Sequence, residues 1–149
     1  MFARGAAAAY HRLVLSLVLA LASAPPPAWI QRANVPPPIV AWRLADVLGT
    51  PVVEGIAVDR DETTATLTIS VVDSRFDPPR IVCQRNVRGR RVRWLRAGTR
   101  DGLSRPQIAV DVVDRGGESA YLLRVVRGFR LDLARRLNGK MLNPRVFSR

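Results

Sequence analysis

A chain of 149 residues with 48% apolar content has room for one domain with a core of its own, which argues against wholesale disorder. A single cysteine, Cys83, excludes an intrachain disulfide framework and a cysteine-built metal site. The net charge of +12, with a pI near 11.6, points to a polyanionic partner: nucleic acid, an anionic membrane surface or an acidic protein.

Residues 1–24 contain no acid, and an apolar run, LVLSLVLALASA, fills positions 13–24 behind Arg4, His11 and Arg12. That run is too short to span a bilayer and suits either the apolar region of a signal peptide or a buried helix. Ala20-Leu21-Ala22 offers a cleavage site. The segment therefore reads either as a targeting segment cut near Ala22 or as a core helix. Residues 25–50 follow as a proline-rich linker, because the triplets 25–27 and 36–38 forbid regular helix. Within them, residues 42–48 (WRLADVL) before Gly49 read as a short helix with a glycine cap.

From position 51 the pattern changes to period two, and residues 51–140 read as a β-rich basic domain with a tail at 141–149. Positions 52–58 make a strand, and Asp59 to Glu62 a polar turn without the glycine and distal glutamate of a calcium loop. Positions 64–72 then alternate cleanly, with Leu67, Ile69 and Val71 on one side and Thr66, Thr68 and Ser70 on the other. Residues 81–83 and 90–96 read as two strands of a hairpin, joined through Asn86 and Gly89. In the second, Val92 and Trp94 share one face, and Arg91, Arg93 and Leu95 the other. Ile108, Val110 and Val112 mark the next strand. Arg115-Gly116-Gly117-Glu118 is a hairpin turn, since paired glycines accept the positive φ that a tight turn requires. Phe129, Leu133 and Leu137 recur at a spacing of four and predict a short C-terminal helix. The expected class is α+β and mainly antiparallel β, built of hairpins into a sheet or a partly open barrel.

Residues 80–105 carry nine arginines against one acid, Asp101. Guanidinium forks match phosphate geometry and stack on bases. The residues expected to grip phosphate are Arg88 and Arg90 at the hairpin tip, Arg91 and Arg93 on its outward face, and Arg96, Thr99 and Arg100 in the loop beyond. Trp94 is a stacking surface if it faces outward and a core residue if it does not. The excess of arginine is also what GC-rich coding produces: of 24 basic residues only Lys140 is lysine. Motifs for catalysis are missing. The only histidine is His11, Cys83 lies mid-strand among apolar neighbours, and no nucleotide-binding glycine loop or zinc-protease motif occurs. Asp111 and Asp114, three residues apart on a strand, face opposite sides and do not form a carboxylate pair.

The stretch 66–108 resembles the second half of the Schlafen AlbA-2 family of DNA-binding domains. TATLTISVVDSRFDPPRIV matches its strand and polar proline segment. Trp94-Leu95-Arg96-Ala97-Gly98-Thr99 matches its closing aromatic-x-Arg-x-Gly-Thr run, with Ser104 and Ile108 beyond. The resemblance implies that Arg96, Gly98 and Thr99 lie at a turn facing nucleic acid. The family's first half, which holds the carboxylates serving RNA cleavage in some members, has no counterpart here, so nuclease activity is not implied.

The resulting expectation is a non-enzymatic, cofactor-free basic domain that binds DNA or RNA through an arginine-rich hairpin in the cytoplasm. The alternative is an exported or organelle-imported interaction protein, cut near Ala22, that binds an anionic protein or surface and meets a membrane only in transit.

Overall fold

The period-two stretches fold as strands in a computed structural model, which describes residues 24–99, 106–126 and 130–138, apart from the side chains of 99 and 133–138. The strands are β1 (Ile39–Ala45), β2 (Glu54–Asp61), β3 (Thr66–Asp73), β4 (Arg80–Arg88), β5 (Arg91–Thr99), β6 (Pro106–Asp114), β7 (Gly117–Val126) and β8 (Arg130–Asn138). They make two four-stranded antiparallel sheets, ordered β1-β2-β3-β4 and β5-β6-β7-β8. The mainly antiparallel β class expected from the sequence is the class observed. The sheets do not close into a barrel: β1 runs beside β5, and β4 beside β8, without joining their ladders.

The core lies between the sheets. Alternation puts Leu67, Ile69 and Val71 of β3 inward, opposite Ile108, Val110 and Val112 of β6, with Ile56, Val58, Leu123 and Leu131 completing the layer. Each aliphatic side chain fully buried there contributes about 1.5–3 kcal/mol relative to exposure. Cys83 belongs to the same layer as a small buried hydrophobe.

Three elements differ from their sequence reading. Residues 25–50 are not an extended linker. A one-turn helix, α1 (Ala28–Gln31), starts where Pro27 needs no N–H of its own. Ile30, Ala33 and Val35 then pack on Ala57 and Val72, covering the outer face of the first sheet. Gly55 permits this, since a Cβ there would lie 2.7 Å from Ile30 and 2.8 Å from Trp29.

The expected helix over 42–48 is instead the end of β1 up to Ala45 and the start of the β1–β2 loop, because pairing with β2 outweighs local propensity. Gly49 does adopt positive φ, +73°, but in the β1–β2 loop, where the Asp46 carboxylate accepts its N–H at 2.7 Å. The buried Glu54 holds the same loop, accepting the Val47 and Leu48 N–H groups at 2.8 and 3.2 Å and the Thr50 hydroxyl.

The expected C-terminal helix is strand β8, paired to β7. A spacing of four is even, so it suits a strand as well as a helix, but a bulge between Leu133 and Arg135 breaks the parity: Leu133 pairs with Leu123 of the core row, and Leu137 with Ala120 of the outer row. Phe129 lies outside the described residues.

The larger correction concerns residues 88–91. β4 and β5 do not pair and lie in different sheets, so this segment is a crossover and not a hairpin tip. The Gly89 N–H donates to the Ala65 carbonyl at 3.0 Å in the first sheet's β2–β3 turn, and the Arg90 N–H to the Val113 carbonyl at 2.9 Å in the second sheet. The two halves of the link are thereby pinned to different sheets. A Cβ at Gly89 would stand 3.0 Å from Val112 and 3.1 Å from Leu67, so the crossover approaches both sheets closely and a larger residue would crowd them.

The β6–β7 hairpin forms as expected, with Asp114 opposite Gly117, whose φ is +117°. Residues 1–23, most of the apolar run and its cleavage site, lie outside the described residues, as does the tail. Among the described residues no helix is long and apolar enough to cross a membrane.

Candidate nucleic-acid interface

The residues expected to grip phosphate separate into two groups. At the crossover, Arg88 and Arg90 both turn toward Asp114, at 4.0 and 3.5 Å. Arg91 is exposed beside Arg60, Asp61 and Glu62, where Arg60 already pairs with Glu62. Three carboxylates thus compensate that end of the domain. Arg93 donates from Nη1 to both carboxylate oxygens of Glu118, at 2.9 and 3.0 Å. Arg91 and Arg93 therefore meet different partners and do not form one outward face.

The register of β5 explains the rest. Val92 pairs with Val112 and Trp94 with Asp111, so Arg93 is the extra residue of a β-bulge. The bulge moves everything after it to the opposite face. Val92 and Leu95 point into the core, whereas Trp94 lies on the outer face of the second sheet against Ala109, Ala120 and Leu122. The expectation that Val92 and Trp94 share a face fails at this bulge. The Arg96-to-Thr99 run is strand up to Thr99, which pairs with Pro106, and not a turn. Arg100 lies outside the described residues.

A different site takes shape where β1 meets β5. A recess of about 640 Å³ runs between these two edges, bordered by Trp42 and Arg43 on one side and Arg93, Trp94 and Arg96 on the other. Arg43 follows Ala41 in the inward-facing row of β1, opposite Ile56, so it projects into the seam between the sheets. It is solvent-exposed overall. Even so, partial burial of its guanidinium lowers the pKa, and the nearby charge of Arg96 lowers it further. Arg43 and Arg96 each donate to a carbonyl of their own strand, Trp42 and Leu95 respectively, at 3.1 and 3.2 Å. Neither has a carboxylate within 4.0 Å among the described residues. Two like charges held at one recess without a counter-charge favour an anion between them.

Sequence reading missed Arg43 because residues 42–48 read as a helix. The available signal was the pair of similar strings, Ala-Trp-Arg-Leu-Ala at 41–45 and Arg-Trp-Leu-Arg-Ala at 93–97, which the fold brings face to face.

Other chemistry is sparse. Among the described residues no group of three His, Cys, Asp or Glu side chains is placed to hold a metal. Burial pushes the Cys83 thiol up to about 11, which makes it a poor nucleophile near neutral pH. Asp111, fully buried on the outer face beside Trp94, is raised to about 7, first by burial and then by Glu118. Asp111 and Asp114 do not form a pair, since Asp114 turns to the crossover arginines. No family model, curated protein or solved structure matches the chain.

Proposed function

We propose that this domain binds nucleic acid by seating phosphate between Arg43 and Arg96 in the β1–β5 recess. The observation that carries this reading is the presence of two guanidiniums at one concavity with no carboxylate partner among the described residues. The crossover arginines have Asp114, Asp61 and Glu62 nearby and contribute at most to steering. Contacts of this kind are made to the backbone and are independent of base sequence.

The test is a titration of the full chain with a labelled oligonucleotide at several salt concentrations. Log K should fall linearly with log salt, by about 0.7–0.9 per phosphate contacted. Arg43→Glu with Arg96→Glu should lower affinity at least tenfold and make the slope shallower, while Arg88→Glu with Arg91→Glu should have a smaller effect. Absence of binding near about 50 mM salt, where such contacts are strong, would refute the reading. So would an unchanged slope in the Arg43/Arg96 variant.

A further inference from the structure

The shape of the same recess narrows the ligand. Resting on the reading above, we infer that the β1–β5 recess takes a single strand with its bases unstacked, and not a duplex. Duplex DNA is read by an element that protrudes into a groove about 12 Å wide. Here the two arginines lie in a hollow between strand edges, which is the inverse shape. Its 640 Å³ falls in the range of small-molecule pockets, roughly 300–1,000 Å³, and suits a nucleotide or two at a time.

The walls supply the matching chemistry. Trp42 and Trp94 border the recess from opposite strands and are half-buried, so each indole is held in place while part of it meets the hollow. The Trp42 Nε1–H donates to the Ala24 carbonyl at 3.0 Å, which fixes that ring. Trp94 is backed by Ala109, Ala120 and Leu122. Arginines and fixed aromatic rings bordering one recess can hold a strand by phosphate and by stacking together, with little dependence on sequence. Trp29 does not border the recess and packs instead over Gly55.

The experiment compares three probes on the full chain at one salt concentration: an oligothymidine, a hairpin duplex with the same number of phosphates, and an abasic strand of the oligothymidine's length. The oligothymidine should bind at least tenfold tighter than either of the others and should quench indole emission. Trp42→Phe should lose part of that quenching and Trp29→Phe should keep it. Comparing probes on the unmutated protein keeps the test valid if a tryptophan variant folds poorly. Equal binding of duplex and oligothymidine, or of abasic strand and oligothymidine, would overturn single-strand selection while leaving phosphate binding intact. If none of the three probes binds, the nucleic-acid reading itself falls.

Discussion

Asp111 is the residue where burial and charge conflict most directly. It is 0% exposed, and neither carboxylate oxygen has a hydrogen-bond donor among the described residues. Its neighbour across the outer face is Glu118, held by Arg93. Two carboxylates can share a hydrogen bond only through a proton, so the buried one keeps it. Asp111 accordingly rises to about 7 while Glu118 is lowered, first by its bond with Asp111 and then, against some burial, by Arg93. The sign follows. A raised folded pKa means that the Asp111 contribution to stability is complete below about 3.8 and is lost as pH climbs toward 7. Glu118 acts oppositely and only below its ordinary value of 4.5. Between pH 5 and 7 stability should therefore fall, by at most about 1.4 kcal/mol per pH unit, and the melting temperature with it, levelling off toward pH 8. Asp111→Asn places a permanent donor where the proton sat, so it should flatten that slope and raise stability at pH 8. Thermal melts of both proteins across this range check it. An undiminished slope in the Asn variant would assign the effect elsewhere.

The strands show how far the elements could be read from the chain. Period-two alternation identified β2, β3, β6 and the β6–β7 hairpin, because the side-chain period of a half-buried strand is a local property. Which strand pairs with which is not local. Residues 80–88 and 91–99 carry the alternation of a hairpin, yet the two residues between them lead from one sheet to the other. Gly89 looked like a turn glycine and is instead a space requirement. The bulge at Arg93 adds one residue that no periodicity reveals, and it exchanged the faces of Trp94 and Leu95. The site depends on both: charge alone marks Arg93 and Arg96, the seam position of Arg43 follows only from the pairing of β1 with β2, and β4 and β5 form no hairpin. The account of Gly89 has a direct check. Gly89→Ala forces a Cβ to within 3.0 Å of Val112 and should cost about 1–3 kcal/mol, as overpacking of a tight core does. At Gly116 a Cβ would meet nothing within 4 Å, so Gly116→Ala should stay within about 0.5 kcal/mol of wild type. Urea unfolding of the two variants measures the difference, and equal midpoints would remove the steric explanation of the crossover.

At the scale of the molecule, the question is where the net charge of +12 is left uncompensated. Among the described residues Arg75 pairs with the buried Asp73, while the other ion pairs lie at the surface, Arg60 with Glu62, Arg90 with Asp114 and Arg130 with Asp132 among them. Pairs of that kind add about 0–1 kcal/mol each to stability, but each cancels an arginine locally. The β1–β5 seam is treated differently, with Arg43 and Arg96 repelling one another across a recess. Such repulsion costs the free fold something and is relieved by a bound anion, which separates a binding role from a structural one. If the two arginines served the fold, Arg96→Ala would lower the melting temperature. If they serve a ligand, Arg96→Ala should melt at or above the wild-type temperature while binding oligonucleotide more weakly. Ligand that binds only the folded state adds about 2.7 kcal/mol at one hundred times its Kd. Saturating oligothymidine should therefore raise the melting temperature of the wild type and leave that of Arg43→Glu with Arg96→Glu nearly unchanged. Simple salt at equal ionic strength serves as the control for each protein, because the two substitutions lower the net charge from +12 to +8 and so change general screening as well. An equal oligonucleotide shift in the two proteins would move the binding surface away from the seam.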